Sequence, residues 1–321
     1  MMINDFIHTF LFQEPFVIKD NTIHTTVLMD SGKEGWMGIP HGGIGMGTIM
    51  ELSTGFSHCM QGMDFKYPID CRFDMGGAKV KIGDTVEMNA MATDSGITGN
   101  IRNGDNAMPY VTGDIGFGQD RSNRDDCSRT YLPDHFSRIK GHLEHIPHYQ
   151  NCFVCGVNRS EPGLKRKFHF WDSPHGKVVC AFSGFNEDDK NSLHLFQRNG
   201  FFHPISLLAI LDETMGWAGF MAYANGGVSV RLNYQFLRPV NVNEKMVFFA
   251  RAEKVKGHID RRMLFWASGF GTVMHEDGSF EVVAVSSGQW YAMKELTDQM
   301  RNELIPQDLT HRIFSIAQSK I

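Results

Sequence analysis

Cysteine is scarce in this chain. Six residues in 321 (Cys59, Cys71, Cys127, Cys152, Cys155 and Cys180) are too few and too scattered for a disulfide scaffold. The single CxxC, Cys152–Cys155, has no second pair to complete a four-cysteine zinc site. An excess of positive charge is also missing, and a net charge of −5 argues against a dedicated nucleic-acid binder. The opening MMINDFIHTFLFQEPF has no basic stretch ahead of an apolar run, and no segment reads as the roughly 20 apolar residues of a membrane span. The expectation is a soluble, cytoplasmic protein without a membrane or nucleic-acid partner. Hydrophobic residues at 42% and charged residues at 21% exclude wholesale disorder, and the length allows two domains.

What the chain does have is a pattern that occurs twice. Residues 16–29 have β character, and the glycine-rich HGGIGMGTIMEL from His41 opens an apolar helix that could extend to about Cys59. Strand-like runs follow at 69–73, 78–82, 85–93 and 111–117, separated by Gly/Asn/Asp turns. Residues 119–147 are polar and charged and read as a linker. The order then restarts, with strands at 164–171 and 177–185, an apolar helix within 201–224, and strands at 228–240, 244–255, 261–271 and 280–293. His41 and His203 are offset by 203 − 41 = 162, and the alternating strand at Ile69 matches that at Val230 at 230 − 69 = 161. Near-equal offsets point to a duplicated unit. A helix apolar nearly all round must be wrapped on most sides, and a curved antiparallel sheet can do this. The helix glycines would let that sheet approach closely.

With these elements in place the sequence resembles the hotdog-fold acyl-CoA thioesterases, particularly the phenylacetate-degradation type. The resemblance rests on HGG at a helix start, on CFVCGVNRSEPGL (152–164), on LLAILDETMGWAG (207–219) and on VSVRLNYQFLRPV (228–240). It covers residues 150–293 strongly and 15–118 weakly. It implies an α+β fold of two tandem hotdog domains, each a long helix wrapped by a curved antiparallel sheet, forming an internal pseudo-dimer. The expected divisions are 1–118, a linker at 119–150, 151–293 and a helical tail at 294–321. It further implies an acyl-CoA substrate, no cofactor, active sites at the interface, and a homodimer of double-hotdog chains.

The departures from the family pattern assign roles. In the family an acid stands nine positions after the His; here that position holds Met50 in the first half and Asp212 in the second. Glu51 follows Met50, rotated by about 100° around the helix. The second half has the acid but replaces HGG with His203-Pro204-Ile205, and proline has no N–H to offer. One composite site would therefore use His41, Gly42 and Gly43, whose amides form an oxyanion hole, with Asp212 as nucleophile or general base. Glu213 and Glu51 are further acidic candidates. Arg231 and Arg238 are candidates for the phosphates of coenzyme A. The cluster His142, His145, His148, Cys152 and Cys155 leaves structural zinc open beside free thiols, and no metal is expected at the catalytic centre. Other readings are a hotdog enoyl-CoA hydratase or 3-hydroxyacyl-CoA dehydratase, and a non-catalytic acyl-CoA binder. Neither the acyl group nor the choice between coenzyme A and acyl-carrier-protein thioesters is legible.

Overall fold

The computed structural model describes residues 6–12, 14–104, 108–118, 131–185, 192 and 194–308. Cys127, residues 119–130 of the expected linker and residues 309–321 of the expected tail lie outside them.

Two apolar helices organise the chain. Helix α2 (Gly42–Leu52) follows a short N-terminal helix, α1 (Phe6–Leu11), and is buried along almost its whole length. Helix α3 (Pro204–Tyr223) begins with proline at a position where a missing N–H is harmless, and ends at Ala224 in the left-handed conformation. By length and composition α3 could cross a membrane, contrary to the expectation from sequence, but 83% of its apolar stretch is buried inside the protein. It is a core helix. A six-residue helix, α4 (Lys294–Gln299), runs on into a π-helical turn, Met300–Leu304, near the end of the described residues.

Thirteen strands form one antiparallel sheet around these helices. In the first half they are β1 (Val17–Lys19), β2 (Thr22–Leu28), β3 (Ile69–Met75), β4 (Thr85–Thr93), β5 (Gly96–Arg102) and β6 (Val111–Phe117). Next comes β7 (Glu144–Ile146), and the second half supplies β8 (Phe168–Ser173), β9 (Gly176–Ser183), β10 (Gly227–Phe236), β11 (Met246–His258), β12 (Arg262–Met274) and β13 (Phe280–Ala292). The order across the sheet is β1-β2-β4-β5-β6-β3-β10-β13-β12-β11-β9-β8-β7. The halves join where β3 pairs with β10, and in that ladder Arg72 faces Asn233. These two residues are themselves equivalent in the repeat (233 − 72 = 161), so an approximate two-fold axis passes between them. Phe73 and Tyr234, one step along, stack edge to face across it at 6.3 Å.

Three features differ from the sequence reading. Residues 78–82 form no strand, although they alternate; they run as an irregular approach to the turn before β4. Gly96–Arg102 is a strand even though its two glycines read as turn residues. It holds because Gly99 sits beneath Ile49 of α2, where a Cβ would come within 2.7 Å of that side chain. Residues 131–143, read as connection, pack on the outer face of the second half, with Tyr131 and Ile139 buried against Val178, Val247, Phe249 and Phe270.

The helix glycines serve the α2–α3 contact as much as the sheet. A Cβ at Gly47 would lie 2.2 Å from Ile205 Cγ1, and one at Gly43 would lie 2.4 Å from Ala209 Cβ. Gly45 instead faces Val111 and Ile101 of the sheet. Burying two helices edge to edge with no side chain between them outweighs the 0.5–1 kcal/mol that each glycine costs a helix. Gly47→Ala should therefore destabilise the protein by about 1–3 kcal/mol in urea unfolding. Ile205→Ala in the same chain should recover part of that loss, giving a non-zero coupling in a double-mutant cycle.

Candidate active site

Each helix begins in the same way. His41 precedes α2 with extended backbone, and its Nδ1 accepts a hydrogen bond from Gly43 N–H at 2.9 Å. His203 precedes α3 and its Nδ1 accepts from Ile205 N–H at 3.2 Å. The outer nitrogen of each ring then meets an acid on the other helix. His41 Nε2 lies 3.1 Å from Glu213 Oε2, and His203 Nε2 lies 2.9 Å from Glu51 Oε2. Glu51 and Glu213 are equivalent in the repeat (213 − 51 = 162), so the two imidazole–carboxylate pairs are symmetry mates.

The environments of the two pairs differ. Glu51 is fully buried and receives Arg198 Nη2 on both oxygens, at 2.8 and 3.0 Å, with His8 Nδ1 of α1 at 3.7 Å. Burial alone would raise its carboxyl, but His203, His8 and Arg198 outweigh that and hold it well below the usual range. Its oxygens are committed to cations, and Met50 occupies the position equivalent to Asp212. This end is an ionic brace.

At the other end the chain keeps one more acid. Asp212 is 6% exposed. Its Oδ1 accepts from the Ser229 hydroxyl at 2.8 Å, at the start of β10. Its Oδ2 points at the first turn of α2, 4.0 Å from His41 Nδ1 and so close to Gly42 that a Cβ there would come within 2.8 Å. Burial raises the Asp212 carboxyl to about 6, against the lowering effects of His41 and the Ser229 hydroxyl. Tyr110 and Met75 border the same space: Met75 Cε would be 3.7 Å from a Gly42 Cβ, and Tyr110 packs beside Gly45 with its hydroxyl 3.4 Å from the Pro40 carbonyl.

Glu213 behaves differently from its neighbour. Its Oε1 receives the Trp217 indole N–H at 3.0 Å and the Cys152 thiol at 3.9 Å, while Oε2 holds His41. Burial pushes its carboxyl up, and the His41 hydrogen bond with these other contacts brings it below the ordinary value. Burial likewise disfavours a charge on His41, but the surrounding acids raise the ring's affinity for a second proton. Accepting that proton on Nδ1 would cost the Gly43 cap. As the geometry stands, Nδ1 accepts, Nε2 donates, and both nitrogens are spent.

The remaining candidates separate. Gly43 N–H is engaged by His41, which leaves Gly42 N–H, with no acceptor among the described residues, as the helix amide facing Asp212. Arg231 is half exposed near the site, in an ion pair with Asp74. Arg238 stands at the far end of β10, roughly 25–30 Å along the strand from Ser229 at about 3.3 Å per residue, and its guanidinium is shared between Glu244 and Glu281. The His/Cys cluster divides: Cys152 comes to His41 and Glu213, while His145 and His148 lie at the sheet edge. His41, Cys152 and Glu213 place ligand atoms within 4.8 Å of one another. A metal on His41 Nε2 needs a proton on Nδ1, and the Gly43 hydrogen bond opposes that tautomer. Sequence reasoning did not find Ser229, Arg198, Trp217 or Tyr110. Ser229 alone carried a signal, as a hydroxyl at the start of the strand after the acid-bearing helix.

No family model matches the chain, and no curated protein matches it. Solved structures do. The dehydratase domain of PpsC from Mycobacterium tuberculosis, in complex with C12:1-CoA, is 13% identical, with a TM-score of 0.53 over 89% of this chain and 99% of that one. A tesB protein of Mycobacterium avium subsp. paratuberculosis is 10% identical (TM-score 0.48; 86% and 94% covered), and a putative thioesterase II of Thermobifida fusca 11% (0.45; 87% and 96%). The chain has the hotdog fold, a large antiparallel sheet around few helices.

Two substitutions separate the two ends. Glu51→Gln leaves the buried Arg198 guanidinium without the Glu51 carboxylate, and should cost about 3–5 kcal/mol in denaturant unfolding. Asp212→Asn should do the opposite at pH 8. Asp212 binds its proton more tightly folded (about 6) than at its reference value of 3.8, so ionising it costs folding free energy above pH 6. The Asn variant should be more stable than the parent by about 1–3 kcal/mol at pH 8, with the gap closing as pH falls from 6 to 4.

Proposed function

We propose that the chain is an acyl-CoA thioesterase with one working site per chain, built between two hotdog units that form an internal pseudo-dimer. The observation that carries this reading is Asp212 Oδ2. It is a carboxylate oxygen without a hydrogen bond among the described residues, on a side chain only 8% exposed, set against the open amide end of α2. In this reading the thioester carbonyl oxygen takes the Gly42 N–H at the positive end of the helix. Asp212, ionised above about pH 6, removes a proton from water as that water attacks the carbonyl carbon. The C–S bond breaks, the thiolate of coenzyme A leaves and takes up the proton, and the acyl group departs as a carboxylic acid. If Asp212 attacks the carbonyl carbon itself, C–S cleavage leaves an acyl–Asp212 anhydride, which a water molecule then hydrolyses to release the acid and restore the carboxylate. Ser229 aims the carboxylate and Glu213 fixes His41, which in turn fixes the first turn of α2. Arg231 is the remaining candidate for a coenzyme A phosphate, and Arg238 is not carried forward.

A histidine that carries the proton in eliminating water from a 3-hydroxyacyl thioester needs a ring nitrogen free to move it. His41 has none to spare, which favours hydrolysis over the dehydratase reading.

Asp212→Asn should lower kcat on acyl-CoA thioesters at least about 10³-fold in a thiol-release assay, while Glu51→Gln protein that remains folded keeps most of its turnover. The parent's kcat/KM should rise with pH through a midpoint near 6 and lose that step in the Asn variant. Equal turnover by parent and Asp212→Asn, or enoyl-CoA formation without thiol release, would sink the assignment.

A further inference from the structure

A second group of chemically capable side chains lies at the opposite edge of the sheet. His145 on β7 and His169 on β8 face each other directly across the strand pair. Their ring centres are 5.5 Å apart, and that of His148, three residues beyond His145, is 6.3 Å from His145. A tetrahedral zinc ion bound at about 2.0–2.1 Å by imidazole nitrogens holds neighbouring ring centres roughly 5 Å apart. As placed, the three rings do not bring a nitrogen each within 4.8 Å of the other two, so binding requires the side chains to rotate towards a common centre. His169 Nδ1 is buried and has no hydrogen-bond partner among the described residues, a costly state for a ring nitrogen unless something fills it. The Phe182 ring lies against His169 at 5.6 Å and fixes one side of the cluster.

Metal binding by imidazole takes the neutral ring, with a lone pair on the bound nitrogen. Lys167 is the opposing charge, and it weakens a cation's affinity without supplying a competing ligand. His142, close by in sequence, has no ring contact with these three among the described residues and stands outside the group.

We propose that His145, His148 and His169 form a transition-metal site of the zinc class on the edge strands of the second half, with water completing the coordination. It is separate from the Asp212 site and independent of the activity proposed there.

The test uses the full-length protein, stripped with a chelator and titrated with Zn²⁺ by calorimetry. One equivalent should bind, and Zn²⁺ should raise the Tm. His169→Ala and His148→Ala should each weaken binding by about tenfold or more and remove the Tm rise. His142→Ala and Cys152→Ser should bind as the parent does. Should His169→Ala fail to fold, His148→Ala, on the more accessible loop, decides the matter. Co²⁺ in place of Zn²⁺ should give a spectrum without a thiolate charge-transfer band. A parent that takes up no Zn²⁺, retained binding in the folded His variants, or a thiolate band dependent on Cys152 would overturn the proposal.

Discussion

The direct contact between α2 and α3 is the constraint on which the rest of the molecule depends. Gly43 against Ala209 and Gly47 against Ile205 leave no room for a side chain at the crossing, so the two helices meet backbone to side chain. That closeness brings the first turn of each helix to the acids in the middle of the other. It is why a histidine at a helix start can reach a glutamate on its neighbour at both ends. The sheet then closes around the pair, with the β3–β10 ladder fixing the two halves about an approximate two-fold axis.

Within this near symmetry the chemistry is set by a few unequal positions. Both ends hold an imidazole between a backbone N–H and a carboxylate, and this pairing secures helix starts in the buried interior. What separates them is one residue at each end. Asp212 stands where the equivalent position has Met50, and Arg198 neutralises Glu51 where no cation reaches Glu213 in the same way. A carboxylate held by donors and cations is a structural group. A buried one with a raised pKa, and an oxygen with no hydrogen bond among the described residues, is the group the proposed reaction would use for proton transfer.

Much of this was legible in the residues because it depends on local pattern. The repeat showed in the spacing of His41 and His203, α3 in an apolar run opened by proline, and the opposed losses of glycine and acid in two short motifs. The parts that were not legible depend on contacts between distant segments. Gly96–Arg102 reads as turn until Ile49 is known to lie over Gly99. Arg198 lies in a short hairpin, Gln197–Arg198 against Phe201–Phe202, that no pattern in the sequence marks, and only folding brings it to Glu51, 147 positions away. The donor spent by Gly43 on His41 is a matter of ring orientation, which spacing does not encode. Arg238, placed correctly beside a proline at a strand end, is taken up by Glu244 and Glu281.

The Arg198–Glu51–His203 brace has a consequence for how such a chain can change over generations. In an assembly of two identical subunits any substitution is made twice, so an end that catalyses cannot lose its function without the other losing it too. Joining the units in one chain removes that coupling. One end is then free to accept an arginine, a proline and an isoleucine that would obstruct a reacting ligand, and to become the ionic centre around which the interior is fastened. On the reading proposed above, the molecule keeps a single chemical end and gains an anchor from the other, a division of labour closed to a symmetric pair of identical units.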